Sequence, residues 1–552
     1  MRCLKLSDSW SLRGRTWLAA GLILAVTLPQ FLWGLGDCNL WIPLEARYAL
    51  VAREMSEAGQ WILPHLGGQV YPDKPPLLFW TTALISSLGS GVSEWTVRLP
   101  SAFAAISVCL ITWGMGRRLF SPKAAILAAL ILATSGGFFW SGRQALPDML
   151  LTLWTTGACW AIWEWLVAKQ RIAATVAGLC LGLATLTKGP VGVVLPILAA
   201  LAYLTVRRHW KALWGRDGLL CLGTFLGVTL TWFVPAIAQG GMAYAQATLW
   251  HHTLERYVRA WEHTAPWYFY FGAFPAEFLP WTLFLPQALV YGAQQRQPHT
   301  HEGWWFTLCW LVTILVFFSI STGKRDIYVL PMFPAAALLV GWIWSCWWDS
   351  APNGVAAWAM RLPSIILGLG LLGLAAGIWR GVGGLVPNNS TLLLPDTPEM
   401  RFWICVLLVA MGLFIAAAAT AMPRQLVYVS VVGCTWVAML TVVLWVYTPQ
   451  FNARYPIKSF AAVINTTVQP NQPLGLCGPL NDLALGFNLG RFVPTLPEIP
   501  EVIHYLREGR EAFCVVGAEA YQRLREETGR PFRIVARQEF DRSTLFLISN
   551  QR

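Results

Sequence analysis

Apolar runs of about twenty residues recur along nearly the whole chain, and they constrain its fold more than any other feature. A helix of about 20 apolar residues crosses a hydrocarbon core, and it satisfies its own backbone groups while doing so. A soluble core of this size would alternate apolar and polar positions, which these runs do not. Of the 552 residues, 56% are hydrophobic and only 12% are charged. The sequence therefore predicts a polytopic α-helical membrane protein. Candidate spans cover 17–35, 98–116, 124–141, 148–168, 172–187, 190–206, 218–238, 268–290, 305–320, 327–347, 361–379, 401–421 and 425–447. Tryptophans near run ends, such as Trp344, Trp347 and Trp348, fit an aromatic belt at headgroup level.

Charge orients these about thirteen spans. The basic start, MRCLKLSDSWSLRGR, precedes an apolar run with no small-x-small cleavage site, so it reads as an uncleaved first span. With the N-terminus in the cytoplasm, cytoplasmic loops collect Arg117, Arg118, Lys123, Lys169, Arg171, Arg207, Arg208, Lys211 and Arg216, as the positive-inside rule expects. The formal charge of +12 follows from these loops, and nucleic acid is not implied. An odd number of spans puts the C-terminus on the opposite, trans face.

Two segments depart from the spanning pattern. Residues 36–97 contain EARYALVAREMSEAG, a YPDKPP turn and the shorter apolar stretch LLFWTTALISSLG, which predict helices lying on or dipping into the trans interface. From Pro449 short apolar runs alternate with helical patterns, predicting a small α/β domain over 449–552. The twelve cysteines show no metal-ligand spacing. Cys477 and Cys514 lie in this last domain and are either a disulfide or two buried strand thiols.

The informative residues are charges on the trans side: Glu45, Arg47, Asp73, Lys74, Arg143, Asp148, Lys188, Arg256, Arg259, His263, Lys324, Arg325 and Asp326. Long cations can snorkel to headgroups, but a set drawn from separate loops points to a shared anionic ligand. A lipid phosphate would place its head among them, with Arg as a forked donor and Lys as a point charge. Sugar transfer there also needs a base, and Glu45 and Asp148 are the best-placed carboxylates.

A resemblance enters at LEARYALVAREM, GQWILPHLGGQVYPDKPPLLFW, RLPSAFAA, GRQALPDMLLTLW, ATLTKGPVGVVLP, HHTLERY, HTAPWYFY with LPW, and SISTGKRDIYVLP. In this order, over about 40–335, the chain resembles the bacterial branch of the protein O-mannosyltransferase superfamily. These are integral-membrane glycosyltransferases of GT-C architecture, and the aminoarabinose transferases that modify lipid A are among them. The resemblance implies a polyprenyl-phosphate-linked sugar donor, inverting transfer at the periplasmic face of a bacterial inner membrane, and a lipid, glycan or protein acceptor. Carried over, Lys74 binds the donor phosphate with Arg47, Arg256, Lys324 and Arg325 beside it, and Tyr328 is a site tyrosine. Asp73 occupies a position that helps hold a divalent metal in some relatives, with His263 as a further candidate ligand.

One residue departs from the family. Its Asp-Glu before Ala-Arg-Tyr is here Leu44-Glu45, so the expected aspartate base is missing. Glu45 or Asp148 takes over, or the acceptor is acidic enough to need little help, or activity is lost. A flippase for a lipid-linked sugar and an inactive scaffold are the competing functions. Midplane charges and related halves would mark the flippase, and neither is seen.

Overall fold

The computed structural model describes residues 4–40, 43–89, 91–208, 210, 215–248, 263–294, 297–349, 355–380, 397–421, 423–478, 482–508, 511–540 and 543–550. Among the described residues its membrane part is built of helices, with one short hairpin. Helix α1 (Leu4–Leu32) leads to α2 (Pro43–Ala58), a hairpin of β1 (His65–Leu66) and β2 (Gln69–Val70), and α3 (Leu77–Ser87). Then come α4 (Glu94–Leu119), α5 (Pro122–Ala133), α6 (Gly136–Ser141), α7 (Pro147–Leu166), α8 (Ile172–Lys188), α9 (Val191–Arg207) and α10 (Arg216–Gln246). After the stretch outside the described residues follow α11 (Phe269–Glu277), α12 (Leu285–Gln294), α13 (Pro298–Ile320), α14 (Phe333–Asp349), α15 (Val355–Trp379), α16 (Pro398–Ala421) and α17 (Arg424–Thr441). Among the described residues seven helices are long and apolar enough to cross a membrane, and five shorter apolar helices accompany them.

Local signals explain the starts. Ser93 caps α4 in a capping box with Thr96. Ser121 caps α5 and accepts from the Ala124 N–H, with Pro122 already helical. Pro147 occupies the first turn of α7, which puts Asp148 at the favourable positive end of the helix. Small residues let the helices close up: a Cβ on Gly341 would lie 2.6 Å from the Ala128 nitrogen, so α14 crosses α5 at backbone contact.

Two expected spans are broken. The run 124–141 splits between α5 and α6, where the Thr134 hydroxyl donates to the Leu130 carbonyl at 2.6 Å and accepts from the Trp281 indole at 3.0 Å. The run 268–290 splits between α11 and α12 through a short 3-10 turn, Trp281–Phe284. The two breaks face each other, and the Gly136 N–H donates to the Leu279 carbonyl at 3.0 Å.

Within residues 36–97 the expected helices are α2 and α3. The hairpin between them turns on Gly67 and Gly68, with φ of 62° and 75°. This left-handed pair suits glycine, and the Glu54 carboxylate accepts both glycine N–H groups at 2.6 and 3.1 Å.

The C-terminal part is the expected small α/β unit. The composition changes at Pro449, but the last membrane helix runs on through a π-helical stretch, Val442–Tyr447, into α18 (Thr448–Arg454). The chain turns only at Tyr455, before Pro456. Then follow α19 (Ile457–Thr467), β3 (Leu474–Cys477), α20 (Asp482–Leu489), α21 (Ile499–Glu508), β4 (Phe513–Gly517), α22 (Ala518–Thr528), β5 (Arg533–Phe540) and β6 (Ser543–Ser549). Strand order is β3-β4-β6-β5, with β3 parallel to β4 and the other pairs antiparallel. Cys477 and Cys514 are free buried thiols, opposite Val516 and Gly475 in the ladder. The unit is docked on residues 36–97: Ala46, Ala49 and Leu50 share one apolar core with Ile457, Phe460 and Leu485. Arg53 donates to the Phe487 carbonyl at 2.8 Å and lies 4.4 Å over its ring.

Candidate active site

Helix α2 turns about 100° per residue, so Glu45 cannot share a direction with both Arg47 and Tyr48. Tyr48 is buried, 5.8 Å from the Phe79 ring of α3. Burial first, then the negative charges of Asp73 and Asp148, push its phenol well above the ordinary value, while Arg325 and Arg47 pull the other way. Four ionisable groups from four separate segments thus act on one hydroxyl.

The YPDKPP turn supplies one edge. Tyr71 donates to Asp73 Oδ2 at 2.9 Å, and Lys74 Nζ donates to Asp73 Oδ1 at 2.8 Å and to the Asp73 carbonyl at 3.1 Å. Lys74 and Asp73 form an ion pair with side chains 15% exposed each, shielded but open to one side. Two prolines follow, and α3 starts at Leu77. Burial, then Tyr48 and Asp73, raise the Tyr71 phenol, against Arg47.

The start of α7 and the end of α8 supply a second group. Asp148, buried in the first turn of α7, is ion-paired through Oδ1 with Lys188, the last residue of α8. A cation at a helix C-terminus is favoured by the helix dipole, and Gly189, at φ 77°, ends the helix there. The same Lys188 ammonium lies 4.5 Å from the Tyr328 ring centroid, over its face. Tyr328 sits in the 3-10 turn Asp326–Met332. That turn is pinned at its start, where the Arg325 carbonyl accepts from the Tyr270 hydroxyl at 3.0 Å and the Tyr328 N–H at 3.1 Å. Arg47 Nε is buried and has no hydrogen-bond partner among the described residues. An orphaned guanidinium nitrogen at this place suits an anion.

Other expected residues are placed differently. Glu45 is only 2% exposed, and both its oxygens are taken: Arg98 donates from Nε to Oε1 at 3.0 Å and from Nη2 to Oε2 at 2.9 Å, and the Ala145 N–H reaches Oε1 at 2.8 Å. Held by three donors, the Glu45 carboxylate ties α2 to Arg98 of α4 and to the backbone before α7. Lys324 is buried, and its ammonium donates to the Ser321 carbonyl of its own loop. Its N–H donates to the His263 carbonyl at 2.9 Å. His263 itself is exposed at φ 57°. Arg256 lies outside the described residues. For a metal the fit is poor. Asp73 is engaged by Tyr71 and Lys74, and no group of three His, Cys, Asp or Glu side chains gathers among the described residues.

Tyr48, Tyr71 and the partnership of Lys188 with Asp148 were not singled out from sequence. Tyr71 had a signal, since it opens the YPDK turn. The Lys188–Asp148 pair had none, being 40 residues apart.

The fold has a counterpart among solved structures. It matches the crystal structure of ArnT from Cupriavidus metallidurans bound to undecaprenyl phosphate with a TM-score of 0.77, at 22% identity, over 97% of this chain and 98% of that one. Residues 73–238 match the family described as dolichyl-phosphate-mannose-protein mannosyltransferase. Two curated relatives are both named undecaprenyl phosphate-alpha-4-amino-4-deoxy-L-arabinose arabinosyl transferase. The one from Edwardsiella ictaluri (strain 93-146) is 33% identical over 350 residues, 61% of this chain and 60% of that relative. The one from Pseudomonas aeruginosa (strain LESB58) is 33% identical over 317 residues, 56% of this chain and 57% of that relative. The chain thus spans about three-fifths of the length of these relatives. Asp73, Lys74, Asp148 and Lys188 all fall within the family match.

Proposed function

We propose that this protein is an inverting glycosyltransferase that moves a sugar from a polyprenyl-phosphate donor to a lipid A-like acceptor, at the periplasmic face of a bacterial inner membrane. The N-terminus is cytoplasmic and the C-terminal α/β unit periplasmic in this reading. The observation that carries it is the buried ion pair of Asp148 from α7 with Lys188 from α8, whose ammonium lies over the Tyr328 ring, in a chain rich in apolar helices. A polyprenyl chain stays among apolar helices while its phosphate meets Lys74, Arg47 and Arg325. The relatives named for undecaprenyl phosphate substrates support the choice of donor.

Asp148 is the base in this scheme. An acceptor oxygen attacks the anomeric carbon from the face opposite the phosphate, and the bond from that carbon to the phosphate oxygen breaks. The acceptor proton passes to Asp148, and polyprenyl phosphate leaves with the negative charge, held by the cations. Lys188 orients Asp148 through their ion pair. Glu45 acts at a distance: it holds the Ala145 N–H, three residues before Asp148. The test is purified protein with radiolabelled undecaprenyl-phosphate sugar and lipid A. Label should move to lipid A in the wild type and stay on the carrier in Asp148→Asn; transfer at full rate by that variant would end the assignment. Label that crosses a liposome membrane with its carrier bond intact would favour the flippase.

A further inference from the structure

A cleft of about 360 Å³ opens between the loop after α2 and the far end of α10, lined by Gln60, Trp61, Leu63, His65 and Gln239 among others. We propose that it binds a pyranose ring of the acceptor glycolipid, as a subsite beside the charged site. This rests on the transferase reading above.

The first argument is chemical. Among the described residues, no Lys, Arg, Asp or Glu lines the cleft. It offers instead an indole and two amides. Trp61 is 42% exposed, which leaves an apolar face for sugar C–H groups. Gln60 and Gln239 are exposed and each brings two donors and an acceptor for hydroxyls. His65 Nδ1 lies 2.9 Å from the Leu63 carbonyl, so this nitrogen carries the proton. The ring's Nε2 is left to bond a hydroxyl. The size lies in the range of small-ligand sites, roughly 300–1,000 Å³.

The second argument is rigidity. Three carbonyls of the loop are held from three directions. Trp80 of α3 donates its indole N–H to the Trp61 carbonyl at 2.7 Å. Trp232 of α10 donates to the Ile62 carbonyl at 2.8 Å. The Tyr71 N–H donates to the Pro64 carbonyl at 2.8 Å. A loop fixed in this way presents its side chains with little ordering left to lose on binding. A solvated connector needs no such fixing.

The third argument is position. Under the cleft, Leu63, Leu186, Trp232 and Ala236 form one small apolar core, with Leu77 and Trp80 packed on it. Leu186 is two residues from Lys188 and Leu77 three from Lys74. Tyr71, which holds the loop at Pro64, also bonds Asp73. A ring in the cleft is therefore one packed layer from the reacting groups, as an acceptor sugar must be.

The test uses the full chain in nanodiscs, with lipid A and its deacylated diphosphoryl glucosamine disaccharide as acceptor probes and undecaprenyl phosphate as donor probe. Trp61→Ala and Gln239→Ala should each weaken binding of both acceptor probes by about tenfold or more, as truncating an aromatic or polar anchor does. Affinity for undecaprenyl phosphate and the melting temperature should stay as in the wild type. Unchanged acceptor affinity in both variants, or a wild type that binds neither acceptor probe, would overturn the proposal. Donor affinity falling in parallel would also overturn it, since the cleft would then belong to the donor site. The two readings separate: label transfer by a wild type whose Trp61→Ala variant keeps full acceptor affinity removes the subsite and leaves the transferase. Acceptor binding lost in Trp61→Ala without any label transfer by the wild type does the reverse.

Discussion

Arg98 holds Glu45 by both carboxylate oxygens, at 3.0 and 2.9 Å, in a setting where neither residue is more than 5% exposed. Arg98 also donates to the carbonyls of Leu35 at 3.0 Å and Cys38 at 2.7 Å. One guanidinium thus ties the end of α1, the start of α2 and α4, and Glu45 extends the tie to Ala145 before α7. Removing one partner of a buried pair strands the other charge. Arg98→Ala should lose about 3–5 kcal/mol of stability, read as a lower melting temperature in detergent. Glu45→Gln keeps an oxygen for the Ala145 N–H and should lose less, about 1–3 kcal/mol.

Asp148 should behave differently. Asp148→Asn is nearly isosteric and should lower kcat by about two orders of magnitude or more, with KM for the donor little changed. Lys188→Ala should also lower kcat, because the carboxylate loses the partner that orients it. Label-transfer rates of the two variants would show this. A full rate in Asp148→Asn together with a collapse in a well-folded Glu45→Gln would return the role of base to Glu45.

The helical bundle was legible because a membrane demands long apolar runs, and such runs need no knowledge of their neighbours. The breaks at 134–135 and 278–284 were not, because each depends on the other: Trp281 bonds Thr134, and Leu279 bonds Gly136. The hairpin carried a readable Gly67-Gly68 signal, but its strands are two residues long and show no alternation. In the site, Asp73, Lys74 and Asp148 stood out as charges where apolar runs begin. Which charges neutralise one another did not, because Glu45 meets Arg98 over 53 residues and Asp148 meets Lys188 over 40. Lys324 looked like the other cations in sequence and differs only in turning back to the Ser321 carbonyl of its own loop.

Lys74 and Lys324 therefore make a paired test of the donor site. Lys74 is partly open and paired with Asp73, whereas Lys324 is 5% exposed. A charge-assisted bond to phosphate is worth about 1.5–3 kcal/mol. Lys74→Ala should weaken undecaprenyl phosphate binding by about tenfold or more and leave the melting temperature alone. Lys324→Ala should mainly lower the melting temperature. Isothermal titration and thermal melts on the same preparations separate the two outcomes. Equal loss of affinity in both would put Lys324 back among the phosphate ligands.

Cys38 gives a prediction in pH. The thiol lies in the loop after α1, beside Arg98 and Arg143. Burial raises its pKa and outweighs the two guanidiniums, so it is pushed from 9.0 up to about 11. Only the thiolate reacts with maleimide, and a raised pKa means less thiolate at any pH below it. In a variant that keeps Cys38 alone of the twelve cysteines, alkylation at pH 8 should run about a hundredfold slower than for an ordinary thiol. The rate should climb about tenfold per pH unit through pH 10. Loosening the Arg98–Glu45 tie should expose the thiol, so Arg98→Ala should bring it back toward ordinary reactivity at pH 8. Fast labelling of Cys38 at neutral pH in the folded protein would mean that the loop after α1 is open to water and the tie is not closed.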